Sequence, residues 1–225
     1  MVKIKICGIT DKDEVDFLNK LKPDYAGFVF AESKRKVNKE QAVRLCSILS
    51  CSIKTVGVFR NQTISEITDV LNDVNLNVIQ LHGNEDVNYI KELRNKANKS
   101  IEIWKAVSID NIEIIQEFYY EVYEYKGNKN ELIKEKLINK YLIDGIDPGS
   151  GKEYSLHKLE NMSNKIEFFL AGGVTPDNIK EKINIVHPFG VDVSSGVEYI
   201  NEQGLRKKSY DKIKLLIGNS KINRF

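Results

Sequence analysis

Two side chains that can exchange protons stand directly behind short apolar runs of the sequence. Cys7 follows the run Val2–Ile6, and Asp144 follows Tyr141-Leu-Ile143. A thiolate is a base, and a carboxyl group partly removed from water keeps its proton to higher pH. We therefore interpret Cys7 as a candidate general base and Asp144 as a candidate general acid.

Strand alternation predicts which residues share a face with Cys7. If Cys7 points into the interior of the fold, Lys5 does too, whereas Ile4 and Ile6 point away. A buried lysine needs a carboxylate partner, and Asp192, two residues before the serines of the last predicted strand, is the best candidate. We expect the Lys5 charge to lower the thiol pKa of Cys7. Asp192 is also a candidate substrate contact.

Two loops of small residues predict an anion site. Gly172 and Gly173 follow one apolar run, and Ser194, Ser195 and Gly196 follow the next. Small residues let backbone N–H groups approach a phosphate closely, and the serine hydroxyls are further donors. We predict that these two loops bind a phosphate group.

Three further residues are candidates for substrate binding. Arg35, within Ser33-Lys-Arg-Lys36, has the planar fork that binds carboxylates with two hydrogen bonds. Gln80 and His82 close the fourth apolar run, where they contact substrate or orient a loop. The histidines at positions 82, 157 and 187 lack the short spacings of a metal site, so we expect no metal.

The scaffold that positions these residues is predicted from a rhythm of eight apolar runs separated by longer amphipathic stretches. Alternating strands and helices favour a parallel sheet, and eight such units in 225 residues favour a single (β/α)₈ TIM barrel of the phosphate-binding type over residues 1–225. A doubly wound open sheet is the alternative, but the turn after the first run lacks the Gly-x-Gly-x-x-Gly pattern of a dinucleotide-binding turn. The predicted strands are Val2–Ile6, Tyr25–Phe30, Ile53–Phe59, Asn77–Leu81, Ile101–Val107, Tyr141–Asp144, Ile166–Ala171 and Phe189–Val193.

Some helix signals and one irregularity accompany this rhythm. Thr63 followed by Glu66 has the spacing of a capping box, and Thr175-Pro-Asp177 predicts a helix with Pro176 at its first position. The segment 117–141 is rich in Glu, Lys, Asn and Tyr and breaks the rhythm. We interpret it as an extended fifth helix followed by a polar surface insertion.

Composition excludes several classes of protein. A formal charge of +2, with 29% charged and 41% hydrophobic residues, is typical of a folded globular chain and gives no general reason to bind nucleic acid or a membrane. No apolar run approaches the roughly 20 residues that span a bilayer. The N-terminus does not resemble a signal peptide, and three cysteines cannot all pair, so we expect a cytoplasmic protein.

Taken together in order, the motifs resemble those of the phosphoribosylanthranilate isomerase family. They occur at the end of almost every predicted strand, and this collinearity is more specific than any single motif. The resembling segments are Lys5-Ile-Cys-Gly-Ile-Thr10, Asp24-Tyr-Ala-Gly-Phe-Val29, Ser33-Lys-Arg35, Val56-Gly-Val-Phe59, Gln80-Leu-His-Gly83, Leu142-Ile-Asp144 with Gly149-Ser-Gly151, Ala171-Gly-Gly173 and Asp192-Val-Ser-Ser-Gly196.

The resemblance implies a cofactor-independent Amadori rearrangement in tryptophan biosynthesis, from N-(5-phosphoribosyl)anthranilate to 1-(2-carboxyphenylamino)-1-deoxyribulose 5-phosphate. It implies that Cys7 is the base, that Asp144 is the acid and that Arg35 holds the anthranilate carboxylate. The partner is then a small phosphorylated substrate, and the protein is a monomer or a homodimer.

Two alternatives remain at this stage. One is an aldose–ketose isomerase of histidine biosynthesis on the same barrel, which would use a pair of aspartates, one of them at the position of Cys7. The other is a non-catalytic phosphosugar-binding protein. One departure from the family pattern is the turn Pro148-Gly-Ser-Gly151, where an additional glycine is expected.

Overall fold

Eight parallel strands close into a barrel, which confirms the predicted fold class. The computed structural model describes residues 1–110, 112, 115, 121–125, 132–144, 159 and 166–221, with the backbone alone for 121–125 and 132–136. Each barrel strand pairs with the next one along the chain, and the first pairs with the last. The barrel strands are β1 (Lys3–Cys7), β2 (Tyr25–Val29), β3 (Lys54–Phe59), β4 (Val78–Leu81), β5 (Glu102–Ser108), β8 (Lys140–Asp144), β9 (Phe168–Leu170) and β10 (Gly190–Val193).

Six helices in the described ranges accompany these strands. Most of them have side-chain caps: the Thr63 side chain accepts a hydrogen bond from Glu66, and the Glu66 side chain accepts from Thr63, which confirms the predicted capping box. The helix predicted to start at Pro176 instead starts at Ile179, because residues 176–178 form a turn. The helices are α1 (Lys12–Leu21), α2 (Lys39–Ser47), α3 (Ile64–Asp73), α4 (Val87–Lys96), α5 (Ile179–Val186) and α6 (Tyr210–Asn219).

Side chains of the barrel strands divide into two apolar clusters. Ile4 and Ile6 belong to the larger cluster, which also contains the buried residues of the helices. Cys7 belongs to the smaller cluster inside the barrel, where the rings of Trp104 and Phe169 stack with their centroids 4.5 Å apart. The alternation predicted for the first strand is therefore confirmed.

The segment 117–141 differs from its prediction. Within it, the structure describes an antiparallel hairpin of β6 (Glu121–Tyr125) and β7 (Leu132–Lys136), so an extended helix is wrong for these ten residues. The first run, Glu-Val-Tyr-Glu-Tyr, contains one β-branched and two aromatic residues, which favour a strand, and the Gly127-Asn128 pair between the two runs is typical of a turn.

A second hairpin follows the last barrel strand. After β10, a short 3₁₀ turn over Ser195–Val197 leads into β11 (Glu198–Ile200), which pairs antiparallel with β12 (Arg206–Lys208). This hairpin lies beside the C-terminal ends of β1 and β10, where the backbone N–H of Ser209 donates to the carbonyl of Val197 at 2.8 Å. Among the described helices, none is both long and apolar enough to cross a membrane.

Candidate active site

The C-terminal ends of the barrel strands surround a cavity of about 340 Å³. Parallel strands place their carboxyl ends at one rim, which is why residues from distant parts of the sequence meet there. Every site residue predicted from the sequence lines this cavity. These residues are Cys7, Arg35, Gln80, His82, Asp144, Gly172, Gly173, Asp192, Ser194, Ser195 and Gly196.

Cys7 lies at the bottom of the cavity beside a buried ion pair. Lys5 is fully buried, and its Nζ donates to Asp192 Oδ1 at 2.8 Å, as the alternation of β1 and β10 predicted. The expected low pKa of Cys7 is wrong: burial raises the pKa of the thiol, and the opposing effect of Lys5 is smaller. Because its own charge is shared with Asp192, Lys5 does not compensate for the desolvation of the thiolate.

Ser194 has two partners within the protein that the sequence analysis did not predict. Its hydroxyl donates to the backbone carbonyl of Cys7 at 3.0 Å and accepts from Lys208 Nζ at 3.3 Å. A serine hydroxyl has one hydrogen, so that hydrogen is not directed to a bound anion in this structure. Ser194 instead ties the loop after β10 to the end of β1.

Backbone donors remain at the two loops predicted to bind phosphate. Gly172 and Gly173 have φ of +84° and +58°, the left-handed region that favours glycine. Their carbonyls accept from Lys182 at 3.2 Å and from Asn178 at 2.8 Å. In the part of the chain that the structure describes, no acceptor is bonded to the N–H groups of Gly172, Gly173, Ser195 and Gly196.

The two loops also touch each other. A Cβ placed on Gly196 would lie 1.9 Å from the carbonyl oxygen of Val174, so only glycine allows this approach. The contact brings the loops after β9 and β10 together, and both loops line the cavity. This arrangement suits a phosphate group, which accepts several hydrogen bonds at once.

Asp144 lies across the rim beside His82. His82 Nε2 is 3.4 Å from Asp144 Oδ2, and His82 Nδ1 is 3.3 Å from the amide nitrogen of Gln80. If Gln80 donates to Nδ1, the hydrogen of a neutral His82 ring is on Nε2 and faces the carboxylate. The Asp144 side chain is 42% exposed, which is more than its position behind an apolar run predicted.

A buried ion pair holds the loop that follows His82. Lys105 Nζ donates to Glu85 Oε2 at 2.9 Å and to the carbonyl of Gly83 at 2.6 Å. The Glu85 carboxylate also accepts from the N–H groups of Gly83 and Asn61. Burial raises its pKa, but the contacts with Asn61 and Lys105 outweigh burial and hold the pKa below its usual range. The loop that follows His82 is thereby tied to Lys105 of β5.

Arg35 reaches the cavity from the loop after β2, but its guanidinium is already paired. Nε and Nη2 donate to the two carboxylate oxygens of Glu198 at 2.6 and 2.7 Å. Lys208 donates to the same carboxylate at 2.7 Å. Sequence analysis missed Glu198 and Lys208, since both lie on strands of three residues that give no periodic signal.

Arg60 is another lining residue that the sequence analysis missed. It directly follows β3, so the strand-end rule used for the other loops was sufficient to find it. The glycine-containing turn after Asp144, residues 145–151, lies outside the described residues, and its predicted departure from the family pattern is not addressed by the structure. Among the described side chains, no group of three or more His, Cys, Asp or Glu is arranged to hold a metal ion.

Comparison with known proteins identifies the family. The sequence model of N-(5′-phosphoribosyl)anthranilate isomerase matches residues 4–219. An N-(5′-phosphoribosyl)anthranilate isomerase from Clostridium beijerinckii is 45% identical over 231 aligned positions, which cover 96% of each chain. The chain belongs to the phosphoribosylanthranilate isomerase family.

Solved members of the phosphoribosylanthranilate isomerase family share the barrel. The enzyme from Thermotoga maritima superimposes with a TM-score of 0.77 at 34% identity, covering 98% of this chain and 99% of that one. A family member solved in complex with reduced 1-(o-carboxyphenylamino)-1-deoxyribulose 5-phosphate has the same TM-score at 31% identity, with the same coverage. The family resemblance read from the sequence motifs is therefore confirmed.

Proposed function

We propose that this member of the isomerase family converts N-(5-phosphoribosyl)anthranilate to 1-(2-carboxyphenylamino)-1-deoxyribulose 5-phosphate, with Cys7 as the general base and Asp144 as the general acid. The observation that carries this assignment is their position on one cavity. Cys7 and Asp144 line it together with Arg35 and with two loops whose four backbone N–H groups have no acceptor among the described residues. These are the groups needed to move two protons and to hold a phosphate and a carboxylate.

The reaction begins with opening of the ribose ring. Asp144 donates a proton to the ring oxygen, the bond from C1 to that oxygen breaks, and its electron pair stays on the oxygen. The nitrogen lone pair forms a C1=N bond, giving a Schiff base. Asp144 lies at the open side of the cavity beside His82, which orients the carboxyl group and accepts or donates a hydrogen bond as the charge changes.

The second half transfers a proton from carbon. The Cys7 thiolate removes the proton from C2, the electron pair of that bond forms C1=C2, and the C=N electrons return to nitrogen. The resulting enolamine releases its hydroxyl proton to water and takes up a proton from water at C1, which gives the ketone. The Cys7 thiol then loses its proton to water and Asp144 takes one up, which restores the starting enzyme. Each electron pair stays within the substrate, so the step needs no oxidant or cofactor.

The binding contacts are assigned on the same basis. We assign the phosphate to the N–H groups of Gly172, Gly173, Ser195 and Gly196, which have no acceptor within the described part of the chain. Arg35 takes the anthranilate carboxylate, since its guanidinium lines the cavity and has donors to spare. Gln80, His82 and Asp192 surround the ribose portion.

The setting of the enzyme remains a proposal from the sequence. We place it in the cytoplasm as a monomer or a homodimer acting on a small phosphorylated molecule. All three cysteines, Cys7, Cys46 and Cys51, are free thiols, which agrees with a reducing compartment.

The two alternatives are less well supported. A histidine-pathway isomerase would carry an aspartate at position 7, where this chain has a cysteine. The matching family model, which covers residues 4–219, is that of the anthranilate isomerase. A non-catalytic binder would not need a base and an acid in the wall of its ligand cavity.

Turnover by the purified protein tests the proposal, because substrate and product differ in fluorescence. Cys7→Ser and Asp144→Asn each remove one proton-transfer group and should lower kcat by about 10²–10⁴-fold with a much smaller change in KM. Cys51→Ser and Asp177→Asn change the same residue types at exposed positions and should retain wild-type kcat. Because the substrate decomposes spontaneously, every rate is compared with a protein-free control. Near-wild-type kcat in Cys7→Ser would reject the mechanism.

A further inference from the structure

The guanidinium of Arg35 is oriented by one carboxylate from a distant part of the chain. Glu198 is 163 positions away in sequence, and it binds Arg35 along the side that carries Nε and Nη2, with distances of 2.6 and 2.7 Å. Two parallel hydrogen bonds fix the plane and the direction of the guanidinium, not only its distance.

Glu198 is itself held in place from the other side. Lys208 faces it across the β11–β12 hairpin, and its Nζ donates to Glu198 Oε1 at 2.7 Å. The side chains of Glu198 and Lys208 are 4% and 1% exposed. Lys208 also donates to the Ser194 carbonyl at 3.2 Å, so the cation is anchored to the loop after β10. Glu198 therefore cannot turn away without leaving a buried cation unpaired.

The pair with Glu198 leaves a second edge of the guanidinium for another anion. A guanidinium has five N–H donors, and Glu198 takes two of them. The remaining donors include one on Nη1 and one on Nη2 that point in parallel, which is a second bidentate edge. In the described residues, no other acceptor binds the Arg35 guanidinium, and Arg35 lines the cavity with its side chain 24% exposed.

The stem of Arg35 is fixed relative to the proposed base. A Cβ placed on Gly8 would lie 2.4 Å from Arg35 Cδ, so the stem packs directly on the residue that follows Cys7. Contacts at the stem and at one side of the guanidinium leave the side chain little rotational freedom. A ligand carboxylate that meets Arg35 therefore meets it in a preset orientation.

We propose that Glu198 is a positioning residue, which holds Arg35 side-on so that the second edge of the guanidinium binds the carboxylate of the anthranilate ring. This inference rests on the proposed function, in which Arg35 contacts that carboxylate. Glu198 does not touch the substrate and acts through Arg35. It makes binding selective for a carboxylated ring and contributes little to proton transfer.

Glu198→Gln tests this role, because the amide keeps the shape but loses the charge that binds two cations. We expect KM to rise at least about tenfold, the effect of weakening a charge-assisted hydrogen bond, and kcat to stay within about threefold. Two inhibitors separate positioning from general damage: reduced 1-(o-carboxyphenylamino)-1-deoxyribulose 5-phosphate and the same compound without the carboxylate. The Glu198→Gln substitution should weaken binding of the inhibitor that carries the carboxylate and leave binding of the other unchanged.

The matched control is Arg206→Gln. Arg206 is also near the Glu198 carboxylate, with Nη1 at 3.7 Å from Oε2, but it is 43% exposed. The Arg206→Gln variant should bind both inhibitors with the affinity of the wild type. If Glu198→Gln folds poorly, Glu198→Gln combined with Lys208→Met removes the buried charges together and is measured in the same way.

The outcomes distinguish this inference from the proposed function. Absent wild-type turnover rejects the function. Wild-type turnover with an unchanged KM in Glu198→Gln, or equal weakening of both inhibitors, overturns the role of Glu198 alone. In an Arg35→Ala background the Glu198→Gln change should add no further rise in KM, and an additive rise would also overturn it.

Discussion

Lys5 and Asp192 form an ion pair that joins the first and last strands of the barrel, with Nζ 2.8 Å from Oδ1. The lysine side chain is fully buried and the aspartate is 10% exposed. Asp192 and Cys7 both raise the pKa of Lys5 enough to outweigh its burial, so the lysine stays charged inside the barrel. The charge is stable there only because its partner is present.

Asp192→Ala should therefore destabilise the protein strongly. Removing one partner of a buried pair typically costs about 3–5 kcal/mol, since the other charge is left without compensation. Urea unfolding gives the free energy directly. The control is Asp16→Ala, whose carboxylate is 3.9 Å from Lys12 on the surface of α1 and should change stability by less than about 1 kcal/mol. Equal effects of the two substitutions would contradict the prediction.

The single-turnover rate should be nearly independent of pH through the neutral range and decline only above the pKa of the Cys7 thiol. The reacting form has a protonated Asp144 carboxyl and a Cys7 thiolate, and its share of the enzyme stays constant as long as the pair together holds one proton. Burial raises the pKa of the Cys7 thiol, so the decline should begin above about pH 8.5, the ordinary thiol pKa. In Cys7→Ser the decline should disappear, because the serine hydroxyl keeps its proton in this range. The same decline in Cys7→Ser and in the wild type would show that the thiolate of Cys7 is not the base.

A charge at position 173 should abolish phosphate binding. Gly173 has φ of +58°, which Asp and Asn both tolerate, so Gly173→Asp and Gly173→Asn differ mainly in charge. The carboxylate repels an anion at the neighbouring N–H groups. Competitive inhibition by inorganic phosphate should weaken at least about tenfold more in Gly173→Asp than in Gly173→Asn. The same inhibition constant in both variants would place the phosphate elsewhere.

Arg35→Lys should mainly affect substrate binding. A lysine can keep its ion pair with Glu198, but it has no second planar edge to offer a ligand. KM should increase by about 10–100-fold, and kcat should change little. Lys34→Ala, an exposed neighbour in the same loop, should behave like the wild type. An unchanged KM in Arg35→Lys would show that other residues hold the carboxylate.

The parts of the site that the sequence predicted depend on exact local periodicity. Strand alternation is strict, so placing Cys7 inside the barrel also placed Lys5 there, and the carboxylate at 192 followed from strand order. The predicted strands end within a few residues of the observed ones, because the apolar runs mark the buried strands. The rule that barrel enzymes carry their functional groups at the C-terminal ends of strands then identified the lining residues named in the sequence analysis.

The parts that the sequence did not predict depend on distant contacts or on burial. Arg35 and Glu198 meet across 163 positions, and β11 is too short to show a period. The direction of the Ser194 hydroxyl was decided by a carbonyl on another strand. The pKa of Cys7 depended on a balance between burial and the Lys5 charge, and the sequence contains only the charge.

The hydrogen bond from Ser194 to the Cys7 carbonyl has a consequence for the newly made chain, because it joins residues 187 positions apart. At roughly 5–20 residues per second, a ribosome needs about 10–40 s to get from one to the other. During this time β1 has no partner at the edge that β10 will cover, and the sheet is an open ribbon with two exposed edges. The growing chain is therefore both inactive and exposed to misassociation until its last barrel strand docks.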